Sequence, residues 1–186
     1  MTDRISKHIG QTQLVICAGN ITRQATDAIV NAANSSLRGG GGVDGAIHRA
    51  GGPSILKECQ DYIRAHGHLP PGKAMWTHGG NLSARYVIHT VGPIYKSEEE
   101  SAPILKSAYL ESLKVAERLR VRSVSFPSIS TGAYGYPVED AAQVAVQAIC
   151  EHLRKGSCLE LVQIVCFTSD AFATFEKALR KINKPG

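Results

Sequence analysis

No stretch of the 186-residue chain has the length of apolar sequence that a membrane-spanning helix needs, and Met1–His8 lacks the apolar run of a signal peptide. A soluble, cytoplasmic protein with no membrane partner is the expectation. The five cysteines (Cys17, Cys59, Cys150, Cys158, Cys166) are odd in number and form neither a C-x-x-C pair nor a metal-ligand cluster with histidine. A disulfide framework and a zinc site are therefore not expected, and the cysteines within apolar runs read as buried, reduced thiols. There is no G-x-x-x-x-G-K-[ST] segment, so an NTPase of that type would lack its lysine and its magnesium ligand. Repeats, low-complexity tracts and linkers are missing too, and a chain of this size buries a substantial core as one domain. The net charge of +5 comes from scattered bases, several of them at helix ends, which favours an anionic ligand over a continuous nucleic-acid stripe.

Short runs rich in β-branched residues recur at 13–18, 28–33, 74–77, 86–91, 121–129 and 161–167, each of strand length. Helical patterns lie between or after them at 43–50, 53–65, 102–119, 138–153 and 171–182. The alternation predicts a three-layer α/β/α domain whose central sheet is mostly buried on both faces. Segments 67–72 and 97–101 read as surface loops.

Two loops stand out in this frame, Gly39-Gly40-Gly41-Gly42 and Ser130-Thr131-Gly132-Ala133-Tyr134-Gly135, each between a strand-like and a helix-like run. Consecutive glycines let main-chain amides approach a ligand closely, and two such loops at the carboxyl ends of strands suit a diphosphate. The match Gly40-x-Gly42-x-x-Gly45 is not a dinucleotide fingerprint in context, because Asn34 to Arg38 separate it from its strand. The acids at the expected distance, Glu58 and Asp61, fall on a helix rather than at a strand end.

Several segments together resemble the macrodomain family, and in particular its MacroD-type branch with bacterial relatives. They are Gly19–Thr22, Asp27–Asn34, Gly39–His48, Ile88–Pro93 and Phe126–Pro137. The resemblance spans nearly the whole chain and implies one macrodomain over 1–186 with a mixed central sheet. It also implies an ADP-ribose ligand and a metal-independent hydrolase with no cofactor. Its substrates would be O-acetyl-ADP-ribose and proteins carrying mono-ADP-ribose on acidic side chains, with nucleic acid not the main ligand. Family mechanisms in which the ligand's own diphosphate assists water activation would extend to this chain.

By that resemblance Asn20 and Ile21 meet the adenine, and Phe172 is the aromatic beside it. Family members commonly carry Asp at the position of Asn20. An Asn carbonyl can still accept from the adenine amino group, but without charge assistance the bond is roughly half as strong. Phe167, on the preceding strand, reads as core. Ser130, Thr131, Gly132, Ala133 and Tyr134 would cradle the diphosphate, and Gly40, Gly41, Gly42 and Val43 would close over the phosphate and distal ribose. Asn34 and Asp44 are the catalytic candidates: a neutral amide can donate to a ribose hydroxyl while accepting from another group, and a carboxylate can orient water. His48, four residues after Asp44, shares its helical face. Asn31, an odd number of residues from Asn34, is expected on the opposite face of the strand, and His89 in the core. Arg38 stands just before the glycines, where the family pattern has an apolar residue. Two other classes stay open at this point, a non-catalytic ADP-ribose reader and a nucleic-acid-binding regulator.

Overall fold

The computed structural model describes residues 3–182, so Met1 and Thr2 of the amino-terminal segment lie outside it. The elements run β1 (Arg4–Ile9), β2 (Thr12–Ala18), a 3-10 turn (Ile21–Arg23), β3 (Ala28–Ala32), α1 (Gly42–Gly51), α2 (Pro53–His66), β4 (Ala74–His78) and β5 (Tyr86–Thr90). They continue through α3 (Glu98–Arg118), β6 (Ser123–Phe126), α4 (Val138–Arg154), β7 (Leu161–Cys166) and α5 (Ser169–Arg180). The strands form one sheet in the order β1-β2-β7-β6-β3-β5-β4. Its inner five strands are mutually parallel, and the edge strands β1 and β4 pair antiparallel, so the sheet is mixed as expected.

Burial on both faces explains the composition of the inner strands. Leu14, Ile16, Val30, Val124 and Ile164 face a core shared with α3, α4 and α5, while Val15, Ile29, Val87 and Val165 face a second core with α1 and α2. Among the described residues no helix is long and apolar enough to cross a membrane.

Three expectations are corrected. β1 has no counterpart among the strand-like runs, because Arg4, Ser6 and His8 leave it little apolar content. It forms because its backbone completes β2, and its exposed, partly basic residues suit an edge strand. Segment 97–101 is not a loop but the start of α3: Ser97 Oγ accepts from the Glu100 amide at 3.2 Å, and Glu98, Glu99 and Glu100 place negative charge on the first turn. Of the apolar run 121–129 only Ser123–Phe126 is strand; beyond Phe126 the chain leaves the sheet at Pro127.

That departure creates the crevice. β3 keeps register with β5 over five residue pairs but with β6 only at Ala28↔Val124 and Ile29↔Ser125. Past those pairs β3 and β6 part, at the place where one connection runs outward to β5 and the other inward to β7. Open α/β sheets bind ligands at such a switch point.

Candidate functional site

The first loop is held by its own side chains and by one close approach. Leu37 N donates to Asn34 O at 3.0 Å, and Leu37 is buried with a left-handed φ of 53°, an uncommon conformation for a branched residue that its burial in the core sustains. Asn34 Nδ2 donates to Gly39 O at 3.0 Å, and Asn34 Oδ1 accepts from Ser36 Oγ at 2.7 Å. A Cβ on Gly45 would fall 2.3 Å from Gly40 O, so glycine at 45 is what lets the first turn of α1 press against the loop. Among the described residues, the amides of Gly40, Gly41, Gly42 and Val43 donate to no other group.

Beneath this loop lies a buried polar network. Asp44, 6 % exposed, accepts at Oδ1 from Asn31 Nδ2 at 2.8 Å, with His48 Nε2 at 3.4 Å from the same oxygen. Its other oxygen faces the loop: a Cβ on Gly40 would lie 3.6 Å from Asp44 Oδ2 and 3.8 Å from Asn34 Nδ2. The two catalytic candidates thus converge on one glycine. Asn31 Nδ2 also donates to His89 Nδ1 at 3.1 Å, which leaves His89 Nε2 to donate to Thr77 Oγ1 at 2.9 Å, and Thr77 in turn to His78 O. Burial, reinforced by the nearby His48, pushes the His89 pKa down to about 3, so the ring stays neutral and can accept from Asn31. Cys59 lies beside it, its thiol pushed up to about 12 by burial and by the charges of Asp44 and Glu58. His48 and His89 occupy the places expected of them.

Asn31 does not. It reaches Asp44, on the α1 side, rather than facing away from the site. The strand period applies only to Ala32, after which the chain turns, so counting by twos from Asn31 to Asn34 carries no information about side. A polar residue in the middle of an apolar, strand-like run was the signal available in the sequence.

The second loop presents bare amides. Tyr136 N donates to Ser130 O at 2.9 Å and Gly135 N to Gly132 O at 3.0 Å, closing the turn, while Tyr95 N ties it down at Tyr134 O. The amides of Thr131, Gly132, Ala133 and Tyr134 donate to nothing among the described residues. Ser130 is held at φ 67°, and its buried Oγ has no partner among the described residues. A Cβ on Gly92 would meet that Oγ at 2.1 Å, so the loop is seated directly on the chain leaving β5. Strain and an unpaired polar atom at one position mark a backbone shaped for something other than stability. α4 opens on Glu139 and Asp140, so its N-terminus carries negative charge of its own.

At the far end of the crevice, Gly19 N donates to Cys166 O, which sets the turn after β2 beside the end of β7. Asn20 Oδ1 accepts from both Thr22 N and Thr22 Oγ1, at 2.9 and 2.7 Å, and so caps the 3-10 turn; Ile21 is buried below it. The expected bond from an adenine amino group to the Asn20 carbonyl would have to displace one of these. The aromatics are exchanged relative to expectation. Phe172 is 7 % exposed and packs in the core between α5 and the sheet, whereas Phe167 is 81 % exposed. β7 ends at Cys166, so Phe167 leaves the sheet at its carboxyl edge, while the amphipathic pattern of α5 turns Phe172 inward. Of these two, Phe167 has the free face. No group of three or more His, Cys, Asp or Glu among the described residues is arranged to hold a metal.

Fold and site together define an α/β domain that would meet an anion with main-chain amides at the carboxyl edge of its sheet, with a buried carboxylate and amide under one loop. The Macro domain family model matches residues 30–145. A Macro domain-containing protein of Caldanaerobacter subterraneus is 49% identical over 92% of this chain and 98% of its own length. An O-acetyl-ADP-ribose deacetylase of Escherichia fergusonii is 45% identical over 91% of this chain and 96% of its own. Among solved structures, the Oceanobacillus iheyensis macrodomain with ADP superposes with a TM-score of 0.93 at 40% identity, covering 97% of this chain and 96% of that one. The Trypanosoma brucei macrodomain in complex with ADP-ribose does so with a TM-score of 0.82 at 38% identity, covering 89% and 68%. The chain belongs to the macrodomain family.

Proposed function

We propose that this macrodomain binds ADP-ribose and hydrolyses the ester bond at its distal ribose, both in O-acetyl-ADP-ribose and in proteins mono-ADP-ribosylated on acidic side chains. The observation that carries the reading is the convergence of Asp44 Oδ2 and Asn34 Nδ2 on Gly40. One Asp44 oxygen is fixed by Asn31, and the other is left to orient a water or a ribose hydroxyl. The Asn34 amide fixes the sugar, and the free amides of both loops take the diphosphate. Each amide bonded to a charged oxygen contributes on the order of 1.5 to 3 kcal/mol. The adenine lies at the turn of Gly19, Asn20 and Ile21, against the exposed ring of Phe167. The relatives named O-acetyl-ADP-ribose deacetylase support the ester as the reacting bond, and the neighbours holding ADP and ADP-ribose support the ligand.

The test incubates the protein with O-acetyl-ADP-ribose and with a glutamate-linked mono-ADP-ribosylated protein, alongside calorimetry with ADP-ribose and AMP. Release of free ADP-ribose from both esters, and clearly tighter binding of ADP-ribose than of AMP, is expected. Binding without cleavage would make the protein a reader, and equal affinity for AMP would remove the diphosphate argument.

A further inference from the structure

An open cavity of about 460 Å³ borders the first glycine loop, with Arg38, Gly40, His48, Arg49, Pro53 and Leu56 among the residues that line it. Its lining holds three basic side chains and no acidic one. Arg38 and Arg49 are exposed, and neither has an ion-pair or hydrogen-bond partner among the described residues. Elsewhere on the surface Arg64 pairs with Asp61 and Arg180 with Glu176. Two guanidiniums left unpaired around one cavity, with aliphatic surface beside them, complement a segment carrying carboxylates and some apolar stem.

Position decides what that segment is. Gly40 lines the cavity and also faces Asp44 Oδ2 and Asn34 Nδ2. Gly40 thus borders both the cavity and the two candidate catalytic groups. A small acyl group on the distal ribose ends at the catalytic pair, whereas an acidic side chain esterified there continues into a peptide that must leave past the loop.

We propose that the cavity bordering the first glycine loop receives the carboxylate-rich peptide that flanks an ADP-ribosylated glutamate or aspartate in a protein substrate, with Arg38 and Arg49 pairing with its acids. This rests on the hydrolase reading above and names which substrates that site selects. O-acetyl-ADP-ribose, which has no peptide, does not use the cavity. The reaction itself is unchanged: water adds to the ester, and the carboxylic acid and ADP-ribose depart.

The test compares the wild type with Arg38→Glu, Arg49→Glu and the double variant on three substrates. These are O-acetyl-ADP-ribose, a peptide ADP-ribosylated on one glutamate flanked by aspartates, and the same peptide flanked by serines. Reversal of both charges is expected to raise KM for the acidic peptide by about fivefold to tenfold, and to change neither kcat nor KM for O-acetyl-ADP-ribose. The effect should shrink as ionic strength rises from about 0.01 M to about 0.15 M, where the screening length falls from roughly 30 to roughly 8 Å. Arg→Lys at both positions should retain most of the preference. Equal KM values for the two peptides in the wild type would overturn the proposal, as would a parallel loss on O-acetyl-ADP-ribose in the charge-reversed variants. A wild type that cleaves O-acetyl-ADP-ribose but neither peptide overturns it too, while leaving the deacetylase reading standing; a wild type that cleaves none overturns the reading beneath it.

Discussion

His89 should make this protein sensitive to mild acid, and the size of the effect follows from its place in the network. The ring is fully buried and its pKa is pushed from 6.5 down to about 3, so the folded chain refuses a proton that the unfolded chain accepts. Above pH 6.5 neither state is protonated there and His89 contributes nothing to the pH dependence. Between 6.5 and about 3 the unfolded state binds more protons, so stability falls as pH falls, by up to about 1.4 kcal/mol per pH unit. At pH 5 the loss from this residue alone is roughly 2 kcal/mol, a large part of a typical folding free energy. The assay is the urea midpoint from pH 7.5 to 4.5 for the wild type and for His89→Gln, which keeps a polar amide but does not titrate. The variant is expected to be less stable at pH 7.5 and to show a flatter decline below 6.5. The remaining histidines are common to both proteins, so the difference in slope belongs to His89. Parallel slopes would refute the reasoning, and so would an NMR titration showing the His89 ring gaining its proton near pH 6. Only protonation of the folded ring, near pH 3, would turn Nδ1 from acceptor to donor and break its bond with Asn31, so the positioning of Asp44 in the folded molecules should hold across the range in which stability falls.

Asp44→Ala and Asn34→Ala should slow single-turnover ester cleavage far more than they weaken ADP-ribose binding, because groups that position a water or the distal ribose act mainly on the transition state; undiminished cleavage by both would remove them from the site. Gly132→Glu should abolish ligand binding and leave the circular dichroism spectrum intact, since no atom lies within 4 Å of the added Cβ while the carboxylate would stand among the free amides of the loop. Normal binding by that variant would mean the loop is not the phosphate cradle. Phe167→Ala should cost about 1 to 3 kcal/mol of ADP-ribose binding, the range for base–aromatic stacking, with little change in melting temperature. Phe172→Ala should instead cost about 3 to 5 kcal/mol of stability; the opposite pattern in calorimetry and thermal melts would restore Phe172 to the binding face.

The layered α/β architecture, both glycine loops and the pairing of Asp44 with His48 were legible in the sequence, because each depends on local periodicity or on residues within one turn of each other. Runs of Val, Ile and Leu at strand length require burial on both faces wherever they occur, and positions four apart on a helix meet regardless of what surrounds the helix. Tertiary structure decided the rest. β1 exists only because β2 offers an unpaired edge, so its own polar residues could not announce it. Whether Phe167 or Phe172 is free depends on where β7 stops, a matter of one residue that hydrophobicity does not encode. Asn31 and His89 lie 58 residues apart on neighbouring parallel strands and reach Asp44 only through the register of β3 and β5. A buried polar group takes whatever partner the packed fold brings within reach, and which partner that is lies in the register of the sheet rather than in the spacing along the chain.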